Sequence, residues 1–172
     1  RQFLIEEQVD YIILGNHYYE SDEISNQYYG NRCKEDLYLQ RYVEGAIAAV
    51  ESGLYAYMAH PDLFMRGRKV FDDQAREASR QICEAAKRLQ IPLEYNLEGA
   101  AYNAACQIEE YPHHEFWEIA VEIGNEVVIG VDAHDPASLE REDYDRQARA
   151  YLKGLGLSIL EEVSLPDYRL LR

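Results

Sequence analysis

Five short apolar runs alternate with amphipathic stretches along this chain, and that alternation limits the possible fold more than any other feature. Residues 11–14, 54–59, 91–96, 126–131 and 157–163 have the length and composition of strands buried in a parallel sheet. Between them, residues 34–52 place Leu37, Tyr38, Tyr42, Val43, Ala46, Ile47 and Val50 at three- and four-residue steps. Residues 72–89 do the same with Ala75, Ala78, Ile82, Ala85, Ala86 and Leu89. Both spacings predict helices with one buried face, the first ended by Gly53. Two further helices are expected, one opened by Tyr111-Pro112 and closed by Gly124-Asn125, the other over residues 138–153. The order β-α-β-α-β-α-β-α-β implies parallel strands joined by right-handed helical crossovers, as in a doubly wound sheet or a β/α barrel.

The two architectures place ligands differently. A doubly wound sheet gathers its site at one switch point, whereas a barrel collects residues from the ends of several strands. Here His17 follows the first run, His60 the second, and Asp132 and His134 the fourth, while Glu94 and Asn96 close the third. This distribution favours the barrel. A complete barrel needs about 200 to 250 residues, so five strands in 172 residues predict a partial one lacking its N-terminal strands. The chain opens at Arg1, already within an amphipathic segment, and reads as the C-terminal part of a single domain. Such a piece is expected to form a homo-oligomer or to pair with the missing N-terminal segment, because open strand edges and apolar helix faces seek cover.

Taken alone, His17 and His60 read as loop or hydrogen-bonding histidines. Asp132-Ala133-His134 is the stronger signal, because residues two apart on a strand share a face. A carboxylate and an imidazole so placed suit Zn, Mn or Fe. His113 and His114 precede a helix and read as exposed first-turn residues. Residues 15–32 form a polar stretch too irregular for either period, with Tyr18, Tyr19, Tyr28 and Tyr29 around His17. Arg66, Arg68 and Lys69 fall in a loop over residues 62–69. They read as a solvated basic turn or, alternatively, as a cluster in which Arg66 grips an anionic group through bidentate contacts.

Thirty-two acidic against 17 basic residues give a formal net charge of −15. That balance argues against a nucleic-acid partner and against an anionic membrane surface. No apolar run approaches the roughly 18 residues of a membrane span, and no signal segment opens the chain. Cys33, Cys83 and Cys106 are odd in number and include no close pair, so they read as reduced thiols in a cytoplasmic protein.

Gly15-Asn16-His17-Tyr18-Tyr19, Ala59-His60-Pro61-Asp62-Leu63-Phe64, Leu93-Glu94-Tyr95-Asn96 and Gly130-Val131-Asp132-Ala133-His134 together resemble the later motifs of the polymerase and histidinol phosphatase (PHP) family, nearest to its histidinol-phosphatase branch. The resemblance spans about residues 10 to 140. It implies a distorted (β/α)7 barrel holding up to three divalent metal ions (Zn, Mn or Fe). The implied activity is hydrolysis of L-histidinol phosphate, a step of histidine biosynthesis, or of a similar small phosphomonoester by a metal-bound hydroxide. His17, His60, Asp132 and His134 match metal-ligand positions, Arg66 falls near the arginine that contacts substrate phosphate, and Glu94 and Asn96 match a supporting strand. The sequence departs from the family pattern at Gly15-Asn16, where Ser-x is usual, at Ala59, where glycine is usual, and at Val131, where serine is usual. The family's opening His-x-His motif, its next histidines and a strand-end glutamate have no counterpart in these residues. The alternative expectation is a non-catalytic scaffold or binding module of the same fold. A third, an amidohydrolase-type barrel, would call for a metal-bridging lysine at a strand end, and none stands there.

Overall fold

A computed structural model describes residues 1–170 apart from 22, 24 and 141. Its elements are α1 (Gln2–Glu6), β1 (Ile12–Leu14), α2 (Tyr29–Arg32), α3 (Asp36–Glu51), β2 (Tyr55–Met58), α4 (Met65–Arg68), α5 (Asp73–Leu89), β3 (Leu93–Asn96), α6 (Leu97–Cys106), α7 (His114–Ile123), β4 (Glu126–Gly130), α8 (Glu142–Leu155) and β5 (Ser158–Ile159), with 3-10 turns at Ser25–Gln27 and Pro136–Glu140. The expected alternation and its parallel strands are present. The five strands pair in the order β1-β2-β3-β4-β5, all parallel and without reversal. A sheet with no reversal has no switch point, so its strand ends form one continuous rim.

Packing follows from the periodicity. The apolar positions Leu39, Tyr42, Val43, Ala46 and Val50 of α3 are buried, as are Ala75, Ala78, Ile82, Ala85 and Ala86 of α5. Helix α5 packs against α3 on one side and α7 on the other. Arg88–Glu51, Arg76–Glu115 and Arg80–Glu122 bridge these neighbours at the surface, where each pair adds little. Below them lie fully buried Trp117, Tyr42, Phe64, Phe116, Met58 and Leu93. On β3, Tyr95 meets Trp117 of α7 and Tyr151 of α8. Glu94 and Asn96 point the other way, because alternate strand residues face opposite sides.

Several boundaries differ from the sequence expectation. The helix expected from Tyr111-Pro112 begins at His114, with His113 as its N-cap residue. The last expected strand shrinks to Ser158–Ile159, extended by one Leu160 N–H to Val127 carbonyl bond before the charged Glu161-Glu162 pair. The helix expected over 138–153 divides into a 3-10 turn and α8, and its residue 141 lies outside the described residues. The loops expected over 15–32 and 62–69 contain short helices α2 and α4, residues 22 and 24 of the first again lying outside the described residues. Helix α6, which has no strong apolar stripe, directly follows β3 and was not expected. The three cysteines are free, Cys33 and Cys83 buried. No helix among the described residues is long and apolar enough to cross a membrane.

Both sheet edges are short. At the β1 edge, the Ile12 N–H donates to the Tyr168 hydroxyl at 3.0 Å, and Arg1 holds the Tyr168 carbonyl at 2.9 Å. The C-terminal stretch thus lies along β1.

Trp117, with no exposed surface, is expected to be the costliest single truncation in the helical layer. Trp117→Ala is expected to lose about 3–5 kcal/mol in urea unfolding, while truncation of exposed Leu139 to alanine changes stability by less than about 0.5 kcal/mol.

Candidate functional site

The carboxyl ends of β2, β3 and β4 are tied together by one buried carboxylate. Glu94 Oε2 accepts the His60 backbone N–H at 3.0 Å and one hydrogen of the Asn96 amide at 3.0 Å. The second Asn96 hydrogen goes to Asp132 Oδ2 at 3.0 Å, and its Oδ1 accepts the Gly99 N–H at 2.7 Å, capping α6. The Gly99 bond settles the amide orientation, since only oxygen can accept a backbone N–H. Glu94 itself lies over Gly130, where an added Cβ would overlap its carboxylate. Glycine at 130 is therefore what leaves room for Glu94.

His60 and Asp132 both leave their strands in left-handed backbone, at φ 31° and 49°. For non-glycine residues this conformation is costly and persists where surrounding bonds hold it. Here Glu94 holds the His60 N–H and Asn96 holds the Asp132 carboxylate. β4 ends at Gly130, so Asp132 and His134 are brought to one side by this turn rather than by strand alternation. The His134 Nδ1 lies 2.8 Å from the Asp132 carbonyl. Because a carbonyl only accepts, Nδ1 carries the proton and Nε2 keeps its lone pair.

His17 reaches the same place from the loop after β1. Asn16 donates to the Tyr42 carbonyl at 2.8 Å, and the Tyr29 N–H donates to the His17 carbonyl at 2.8 Å, pinning the loop on both sides. An isolated antiparallel bridge between Tyr18 and Tyr28 gives this stretch an order its sequence did not announce. At Gly15 a Cβ would stand 2.7 Å from the His17 ring, so glycine there makes space for the imidazole. The His17 and His60 Nε2 atoms are 3.1 Å apart.

His17, His60, Asp132, His134 and Arg66, with Tyr28, Leu63, Glu98, Tyr102 and Tyr111, line one cavity of about 250 Å³. Burial, reinforced by His17, pushes the His60 pKa down to about 4. His17 is exposed as a residue, but its ring turns into the cavity, and desolvation lowers it too, against the pull of Asp132. Both imidazoles are therefore neutral at pH 7, the form that ligates metals. Two nitrogens bound at about 2.0–2.1 Å to one ion stand about 3 Å apart, so the His17/His60 pair fits a shared cation. The His60 Nδ1 is buried with no partner. Among the described residues, no three of the four predicted ligands bring one donor each within 4.8 Å of the others.

The set that does so is Glu109, His113 and His114, which could hold a metal ion. The reading of His113 as an exposed first-turn residue is corrected here: it is 6% exposed. Its backbone N–H donates to Asp62 Oδ2 at 2.7 Å, and its ring stacks on Phe71. No local sequence signal announces this, although the spacing of Glu109 and His113 by four is compatible with a shared site.

The basic cluster is also narrower than its sequence. Arg68 is bound to Asp36 and Asp72, and Lys69 pairs with Glu110. Arg66 remains at the cavity, with Glu110 at 3.9 Å and the Tyr102 and Tyr28 rings at 5.6 and 6.0 Å. Burial raises the Tyr28 phenol and pushes Tyr111 up to about 12, so both keep their protons at neutral pH and can donate to an anion.

No model of a known protein family matches this chain, and no curated protein matches it.

Two outcomes follow from this geometry. Gly130→Ala is expected to drive Glu94 out of place and cost about 1–3 kcal/mol, read by thermal unfolding together with a loss of divalent-ion affinity; an unchanged melting curve would remove Glu94 from its central place. Burial also pushes the Asp62 carboxyl up to about 7 against the opposing pull of the His113 N–H. With a folded pKa above the unfolded value, its contribution is full below about pH 4 and is lost as pH rises through 7. Asp62→Asn, which keeps an oxygen for the His113 N–H, should gain stability relative to wild type between pH 4 and 8; a pH-independent difference would contradict the assignment.

Proposed function

We propose that this chain contributes the His17, His60, Asp132 and His134 side of a polynuclear metal site in a histidinol-phosphatase-like phosphoesterase, on a partial distorted (β/α)7 barrel. The observation that carries this reading is the meeting of those four residues and Arg66 on one cavity. The sheet order without reversal and the likeness of four separated motifs to the PHP family support it. Divalent ions held there would supply Lewis acidity and lower the pKa of a bound water. The chain's own residues do the rest of the work. Neutral His17 and His60 offer lone pairs at 3.1 Å, and His134 offers Nε2 because Nδ1 is committed to the Asp132 carbonyl. Arg66 faces the phosphoryl oxygens with its guanidinium, and the Tyr28 and Tyr111 hydroxyls donate beside it. Glu94 and Asn96 hold the ligands in register without touching substrate.

A second reading, a binding module without turnover, is favoured by the finding that, among the described residues, no three of the four predicted ligands bring one donor each within 4.8 Å of the others. The two are separated by assaying phosphate release from L-histidinol phosphate with Mn²⁺ or Zn²⁺ and with EDTA. The phosphoesterase reading expects EDTA-sensitive hydrolysis that His60→Ala or Asp132→Ala reduces at least about 100-fold. It expects Arg66→Ala to raise KM about 10- to 100-fold, as loss of one charge-assisted contact does. Metal binding without phosphate release favours the module, and hydrolysis unaffected by Asp132→Ala removes the site assignment.

A further inference from the structure

We propose that Glu109, His113 and His114 form a separate mononuclear site for a divalent transition-metal ion, outside the cavity that holds His17 and His60. One donor atom from each residue lies within 4.8 Å of the others. Adjacent donors around a zinc-sized ion stand about 3 Å apart at bond lengths of about 2.0–2.2 Å, so small side-chain shifts complete the shell.

The three residues divide those shifts unequally. His113 is the fixed member: its backbone N–H is bound to buried Asp62, and its ring lies between Phe71 at 5.0 Å and His114 at 5.1 Å, near-parallel to both. The residue is only 6% exposed, and its buried Nδ1 has no hydrogen-bond partner among the described residues. Such an atom ordinarily finds a partner, and an ion is one it lacks. Glu109 and His114 are the adjustable members, each side chain 48% exposed. They already converge, since Glu109 Oε1 accepts from the His114 Nδ1–H at 2.5 Å and from the His114 backbone N–H at 3.2 Å; on binding an ion, His114 either ligates through Nε2 or releases the Nδ1 proton to solvent.

Two imidazoles and one carboxylate select for Zn²⁺, Co²⁺, Ni²⁺ or Cu²⁺ over Mg²⁺ and Ca²⁺, which prefer all-oxygen shells. Three protein ligands leave room for water. The site is independent of the phosphoesterase reading. It shares a wall with the cavity all the same: Tyr111, between Glu109 and His113, faces His60, and Glu110 pairs with Lys69 and lies near Arg66. An ion bound there would clamp residues 109–114 and with them that wall.

Titration with Co²⁺, followed by visible absorption, and with Zn²⁺, followed by calorimetry, tests the site without reference to activity. The His17→Ala/Asp132→Ala/His60→Ala/His134→Ala protein, which lacks all four cavity donors, is expected to retain one equivalent. Adding either Glu109→Gln or His114→Ala, both at exposed positions that leave the core untouched, is expected to weaken that equivalent at least tenfold. In the otherwise unaltered chain the same two substitutions should lower the stoichiometry by one. Retention of stoichiometry and affinity in both backgrounds overturns the proposal, as does the absence of any bound ion in the protein lacking all four cavity donors.

Discussion

The Glu94 carboxylate is the interaction on which the rim of this sheet depends. It is a buried acid whose pKa burial raises, while the Asn96 amide and the His60 N–H pull it back down. A buried carboxylate is tolerable only where donors satisfy it, and a half-satisfied one would be worse than an apolar residue. Asn96 supplies both the satisfaction and the connection, giving one hydrogen to Glu94 and the other to Asp132. Two carboxylates thereby share one neutral bridge. With His17 and His60 held neutral by desolvation, these two histidines add no positive charge to offset them. Among the described residues, Arg66 is the one arginine or lysine that lines this cavity, so its strand-end side is left electron-rich, an environment suited to a cation.

Much of the architecture was legible in the chain itself, and the reason is local. Buried parallel strands are uniform apolar runs, and helices covering them repeat every three or four residues, so residues 34–52 and 72–89 announced α3 and α5 closely. Helix α6 was not legible because its stability is not written in its own stripe. Its start depends on Asn96 capping Gly99, and its buried positions Leu97, Gly99 and Ala101 are mostly small. The site residues were readable as strand-end histidines and acids because a parallel sheet sends its carboxyl ends to one side. What the pattern could not supply was the spacing among them, which rests on the turn at Asp132 and the pinned loop around His17.

The misread residues share a cause: each has a partner distant in sequence. His113 is buried through Asp62, 51 residues away, and through Phe71. Arg68 and Lys69 read as part of a solvated basic turn, yet Asp36 and Glu110 pair with them across separations of 32 and 41 residues, and Asp72 holds Arg68 from four residues away. A charge run shows what a segment carries; only the fold shows which charges remain unspent. Arg66 alone of the three lines the cavity.

The hydrogen bond from the Ile12 N–H to Tyr168 carries a consequence for the sheet's growth. A parallel sheet extends by offering edge donors and acceptors to the next strand. At β1 one such donor is occupied by a phenol from the far end of the chain, and Arg1 steadies that stretch. A strand pairing at the Ile12 N–H, from this protein or another, has to displace the Tyr168 hydroxyl first. The tail therefore works as a removable stopper: it protects the edge from indiscriminate pairing and makes strand addition a competition between two occupants.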